Sequence, residues 1–172
     1  MIPVTLVCAW VVLLYIAWNV SNLLLDQSPV PSSYSTGHIF FSAAVTALLV
    51  TTFDLNADPF AVANGWWVWI DGGPYFGVPI HNFVGWFIIA FVTFLLHGYQ
   101  MKKEKVPTLD GARSGARKWS IAPLLVYIFA GIIFVLINFD HKLGLITVYL
   151  ILLPSLYALW NWGKWYQKTA QA

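Results

Sequence analysis

Five long stretches of this chain contain no Asp, Glu, Lys or Arg: Met1–Leu25, Gln27–Phe53, Gly72–Met101, Trp119–Phe139 and Leu143–Gly163. Each is about as long as the ~20 residues that a helix needs to cross the hydrocarbon of a bilayer. A backbone inside lipid must satisfy its own hydrogen bonds, so such runs fold as helices. Charged residues make up only 9% of the 172, whereas a soluble domain carries roughly a quarter. The expected fold is therefore all-α, an integral membrane bundle of about five transmembrane helices. The runs predict helices at 3–25, 36–57, 79–101, 120–138 and 143–163, in a single transmembrane helical domain over 1–172. The first run lacks a basic start and a small-residue cleavage site, so it reads as a retained helix rather than a signal peptide.

The positive charges are unevenly spread. Lys102, Lys103, Lys105, Arg113, Arg117 and Lys118 lie in the loop 102–118, Lys164 and Lys168 follow the last predicted helix, and only Lys142 falls on the opposite side. The positive-inside rule makes the crowded side cytoplasmic, with the amino terminus outside and the carboxyl terminus in the cytoplasm of a bacterial or archaeal inner membrane. The basic loop also holds Glu104 and Asp110 and no interleaved aromatics. It reads as topogenic charge, and no nucleic-acid partner is expected. The lone Cys8 rules out a disulfide within one chain.

Between the second and third spans lies the segment that departs most from apolar scaffold. From Asp54 to Trp86 it carries three of the seven acidic residues and four of the ten tryptophans. Carboxylates at membrane depth are expensive and mark functional sites. The segment is expected to form an outer-side motif loop over 54–80. Asp54 follows a charge-free run and favours a functional role. Asp58 has two readings of about equal weight, a functional carboxylate or the N-cap of a short helix opening with Pro59, since a helix should end before a proline. Asp71 reads as the initiating residue of an Asp-Gly-Gly-Pro turn. Trp66 and Trp69 are three apart and would share a face on a helical turn. Asn82, one turn into the third helix, either holds a carboxylate or water or ties down a free helix-end carbonyl. Trp160, Trp162 and Trp165 read as an interfacial belt.

Several enzyme classes are disfavoured. His38, His81, His97 and His141 form no close pair of the kind that di-iron hydroxylases need. No nucleotide-binding glycine motif occurs. No inverted repeat points to a transporter.

These residues resemble the signature of a membrane carotenoid-biosynthesis family that includes bisanhydrobacterioruberin hydratase and the lycopene hydratases. The matching elements are Asp54-x3-Asp58-Pro59, Gly65-x-Trp67 or Trp66-x2-Trp69, and Tyr75-Phe76-Gly77-Val78-Pro79-Ile80-x-Asn82-Phe83-x-Gly85-Trp86, with Ile2-Pro3 and Trp10 at the start. Members of that family usually carry further helices before the equivalent of Ile2, so the chain is expected to lack those amino-terminal helices. The resemblance implies a lycopene-type hydratase, a lyase that adds water to a terminal double bond without a cofactor. Asp54, Asp58 and Asn82 would be catalytic, and Trp66, Trp69, Tyr75 and Trp86 would bind substrate. The alternative is a non-catalytic accessory membrane subunit of a photosynthetic pigment–protein complex. It would bind carotenoid or chlorophyll-type pigment, with membrane lipid and other subunits as neighbours.

Overall fold

The computed structural model describes residues 4–104, 119–138 and 140–170. Five helical rods account for most of them. They are α1 (Val4–Leu25), α2 (Thr36–Ala63), α3 (Ile80–Glu104), α4 (Ala122–Ile137) and α5 (His141–Ala170). α1, α2, α3 and α5 are long and apolar enough to cross a membrane. α4, at 16 residues, is about 24 Å long and falls short of the hydrocarbon thickness on its own. The expected membrane bundle of about five helices is the fold observed. Among the described residues the single β feature is a bridge between Tyr75 and Val78. The Ile2-Pro3 pair and most of the basic loop, residues 105–118, lie outside the described residues.

Neighbours in sequence run antiparallel. Lys102 at the end of α3 donates to Thr36 Oγ1 at the start of α2. Asn161 of α5 donates to the Leu23 carbonyl at 2.8 Å, satisfying one of the free carbonyls that every helix leaves at its end. Trp162 Nε1 donates to Ser120 Oγ, just before α4. These bonds gather Lys102, Lys103, Lys164 and Lys168 at one end of the bundle, with Lys142 at the other. Of the three tail tryptophans expected as a belt, only Trp160 is well exposed, because Trp165 is buried and Trp162 holds Ser120.

The apolar core joins Leu13, Ile16, Ala17 and Val20 of α1 to Leu49 and Val50 of α2, Leu124, Tyr127 and Phe134 of α4, and Ile151 of α5. α3 leans chiefly on α2. The two close at Gly98, where a Cβ would sit 2.6 Å from Ile39 Cγ2. α5 is α-helical over His141–Thr147 and Leu153–Ala170, with a π turn over Val148–Leu152 between them. That turn precedes Pro154, a place where the regular ladder has to change anyway.

α2 differs from expectation in a way that matters for the site. It was expected to stop near 57, with Asp58 free to cap a new helix. Instead it runs unbroken through Pro59 to Ala63, so Asp58 is an interior helical residue and caps nothing. The motif segment is accordingly helix to residue 63, and the loop proper is 64–79. A proline in a helix removes the bond to the carbonyl four residues back, here that of Leu55. The Tyr75 hydroxyl donates to that carbonyl at 3.1 Å. Burial pushes the Tyr75 hydroxyl up to about 12, so it remains a donor across the physiological range. The loop delivers Tyr75 through a tight turn with positive φ at Phe76 (49°) and Gly77 (84°). Gly73 lies so close under it that a Cβ there would meet the Val78 carbonyl carbon at 2.0 Å.

If Tyr75 replaces the missing helical bond, Tyr75→Phe should destabilise the protein by about 1–2 kcal/mol through the orphaned carbonyl. Thermal unfolding in detergent would read this as a lower midpoint with unchanged helix content. An unchanged midpoint would exclude it.

Candidate functional site

Asp54 and Asp58 are one turn apart on α2, so they share a face. That face turns inward, leaving the two residues only 1% and 6% exposed. Asn82, near the start of α3, points its amide between them. Nδ2 donates to Asp54 Oδ2 at 3.1 Å and to Asp58 Oδ2 at 2.5 Å. Of the two roles open to Asn82 from sequence, the structure selects the carboxyl-binding one. Neither carboxyl forms an ion pair with a Lys, Arg or His among the described residues. The one such pair there joins His38 to Asp26. A single neutral amide therefore holds two carboxyls together in an apolar interior.

The pair forms part of the wall of a cavity of about 610 Å³. Trp67 and Trp69 from the loop, Trp86 from α3, Trp10 from α1, and Phe53 and Tyr127 line much of the rest. The Trp10 and Trp86 rings stack with centroids 3.6 Å apart and planes 12° from parallel. Two polar atoms at this wall are buried without a partner among the described residues, Asp54 Oδ1 and the Trp69 indole Nε1. Ala9 and Val12 of α1 and Val126 and Ala130 of α4 also line the cavity. Val12 and Val126 are both at least half exposed. Val68 of the loop lines it too and is more exposed still, so the lining reaches the surface on α1, on α4 and at the loop.

The structure brings together Asp54, Asp58, Asn82, Trp69 and Trp86 of the residues singled out from sequence. Trp66 and Tyr75 stand apart from the cavity. Trp66 is largely exposed and packs edge-on against Phe60, and Tyr75 serves the Leu55 carbonyl. The grouping of Trp66 with Trp69 assumed a helical turn, but 67–69 has no helical structure, and Trp67 reaches the cavity instead. Asp71 does not initiate its turn. The turn closes from Gly72 N to the Trp69 carbonyl at 2.9 Å, with Asp71 inside it. Sequence reasoning also missed Phe53 and Tyr127. Phe53 directly precedes Asp54, a usable signal, whereas nothing in the sequence near Tyr127 marks it.

Replacing Asn82 with Leu would leave two buried carboxyls facing each other without a donor. Asn82→Leu should cost about 1–3 kcal/mol, read as a lower unfolding midpoint. Adding Asp54→Asn to that variant should recover part of the loss by restoring an amide. A double variant no more stable than Asn82→Leu alone would contradict this account.

Residues 1–154 match the model of a family described as "Carotenoid biosynthesis protein". No curated protein and no solved structure matches the chain.

Proposed function

Because the chain belongs to the carotenoid biosynthesis protein family, we propose that its cavity receives one end of an acyclic, lycopene-type carotenoid and adds water across the terminal double bond. The observation that carries this reading is a carboxyl pair, joined by one amide and by no cation among the described residues, in the wall of a tryptophan-lined cavity. With one of the two carboxyls protonated the pair carries one negative charge rather than two, an arrangement suited to acid catalysis.

Asp54 is the better acid. Its Oδ1 is unengaged, while Asp58 takes the closer bond from Asn82. The Asp54 proton passes to the terminal alkene carbon, forming a C–H bond from the π electrons and leaving a tertiary carbocation. Water then supplies its lone pair to form the C–O bond. Its surplus proton goes to the carboxylate pair, where Asp58 takes part in returning it to Asp54. Alkene plus water becomes tertiary alcohol, no electrons leave the system, and the reaction needs no redox cofactor. Faces of Trp67, Trp69 and Trp86 stabilise the cation by ~1–2 kcal/mol where water is excluded. Entry past the exposed Val12 and Val126 would let the rest of the polyene stay in the bilayer.

A second reading rests on α3. Only 11% of its apolar span is buried, and Val84, Ile88, Val92 and Leu96 leave an exposed apolar stripe. In an accessory subunit that stripe would pack on partner helices, and the cavity would hold pigment without converting it. Co-purification at fixed stoichiometry with reaction-centre or antenna proteins favours this second reading.

The hydratase reading is tested with purified protein and lycopene, scoring the gain of one water by mass spectrometry. Asp54→Asn should lower turnover about a hundredfold or more, the usual worth of a positioned acid, and Asp58→Asn should also slow it. Unchanged hydration in both variants would sink the mechanism.

The positive-inside rule supports an orientation with the Lys102 and Lys164 end in the cytoplasm. In a Cys8→Ser background, Asp71→Cys should react with an impermeant thiol reagent on intact cells. Gln167→Cys should react only after permeabilisation, and the reverse pattern would invert the topology.

A further inference from the structure

The cavity reaches well beyond the carboxyl pair, and contacts between helices fix the order of its lining along the bundle. Asn138, which caps the end of α4, donates to Asn56 Oδ1 at 3.4 Å. Asn56 lies between Asp54 and Asp58 on α2, so that end of α4 is level with the pair. Phe134 of α4 packs edge-on against Phe53, with centroids 5.0 Å apart, in the same register. Val126 stands more than three turns before Asn138, about 18 Å farther from the loop, and still lines the cavity. On α1, Trp10 stacks on Trp86, one turn past Asn82. Leu13 and Ile16 continue the lining from there, again away from the loop.

The two ends differ in chemistry. Asp54, Asp58, Asn82 and the indoles of Trp67 and Trp69 form the loop end. The far arm is lined by Leu13, Ile16, Val126 and Ala130, with Tyr127 beside them. The Tyr127 hydroxyl is already engaged on the Leu49 carbonyl at 3.0 Å. The lining meets the surface at two levels. Val68 is exposed on the loop, whereas Val12 and Val126 are exposed on helices of the membrane bundle. A long hydrocarbon leaving past Val68 would run into headgroups and water, which is unfavourable in proportion to the apolar surface exposed. One leaving past Val12 and Val126 stays in lipid.

We propose that the cavity takes an acyclic polyene end-on, with its terminal double bond at the carboxyl pair. The chain lies along the helices and leaves past Val12 and Val126 toward the middle of the bilayer. This rests on the polyene reading and deepens it, because it makes Val126 a residue that senses chain length. A fragment shorter than the apolar arm ends before Val126, while a full-length chain has to pass it.

The test uses the full chain in detergent and two radiolabelled ligands, a full-length acyclic polyene and its ten-carbon terminal fragment. Val126→Trp and Val68→Trp place bulk at the two levels where the lining is exposed, and equal unfolding midpoints confirm that both variants fold. Val126→Trp should weaken polyene binding about tenfold and fragment binding by no more than about twofold. Val68→Trp should leave both within about twofold. A loss of polyene affinity confined to Val68→Trp, an equal loss for both ligands, or no loss in either variant overturns the pose. Linear dichroism of the unaltered protein in oriented bilayers decides the matter even if Val126→Trp fails to fold. After subtraction of protein-free bilayers, the polyene transition dipole should lie within about 40° of the membrane normal, the spread of helix tilts. A dipole nearer the membrane plane overturns the pose. The expected pattern without hydration keeps the pose and removes the hydratase reading. Hydration with the Val68→Trp pattern overturns the pose alone, and absence of polyene binding to the unaltered protein overturns both.

Discussion

Two carboxyl groups one helical turn apart inside an apolar bundle repel each other unless a donor lies between them. Here the donor is the amide of Asn82, and much of the local architecture follows from the need to place it. Asn82 must sit near the start of α3 and face α2, so the two helices pack closely along their length. Gly98 allows that approach farther along, against Ile39. The loop between the helices must then return within 64–79, and it does so through left-handed positions at Gly65, Gly72, Phe76 and Gly77. A neutral amide holds the carboxyls together but leaves their charge uncompensated. A lysine in its place would have neutralised the pair and removed its capacity to give up a proton.

Pro59 belongs to the same design. Ending α2 at the proline would have placed Asp58 on a flexible cap, where its distance from Asp54 would not be fixed. Continuing the helix holds the two carboxyls at a set spacing, at the expense of the Leu55 carbonyl's usual partner. Tyr75 supplies the substitute from the loop. The residue that looked like a substrate contact in the sequence is thus a repair to the helix that carries the acids.

The helices were legible because charge-free runs in a chain this apolar have one physical outcome, and Asp54, Asp58 and Asn82 were legible because polar groups stand out against such a background. Residues 58–69 were not. Proline's local preference ends helices, and a tertiary bond across twenty residues, Tyr75 to Leu55, offsets that preference. Helical spacing was also the wrong ruler for Trp66, Trp67 and Trp69, since that segment is not helical. Tyr127 could not be found by any local rule. It reaches the cavity because α4 packs on α1 and its side chain crosses to α2, where the hydroxyl donates to the Leu49 carbonyl at 3.0 Å.

The treatment of polar side chains elsewhere sharpens the case for the cavity. Thr46, Thr51, Thr93, Ser155 and Thr169 each donate back to a carbonyl of their own helix, which removes them from competition for partners in lipid. Asn56, Asn138 and Thr147 tie α2 to the α4–α5 corner, and Asn161 ties α5 to α1. Polar groups that bind their own helix, or that join one helix to another, are consumed by folding. Asp54 and Asp58 are only half consumed, since one amide serves both and Asp54 Oδ1 has no partner among the described residues. Ser21, Asn22, Asn138 and Trp165 also keep one unpaired atom each among the described residues, but of the six residues with such an atom only Asp54 and Trp69 line the tryptophan-walled cavity, which sets them apart from polar groups that serve the fold alone.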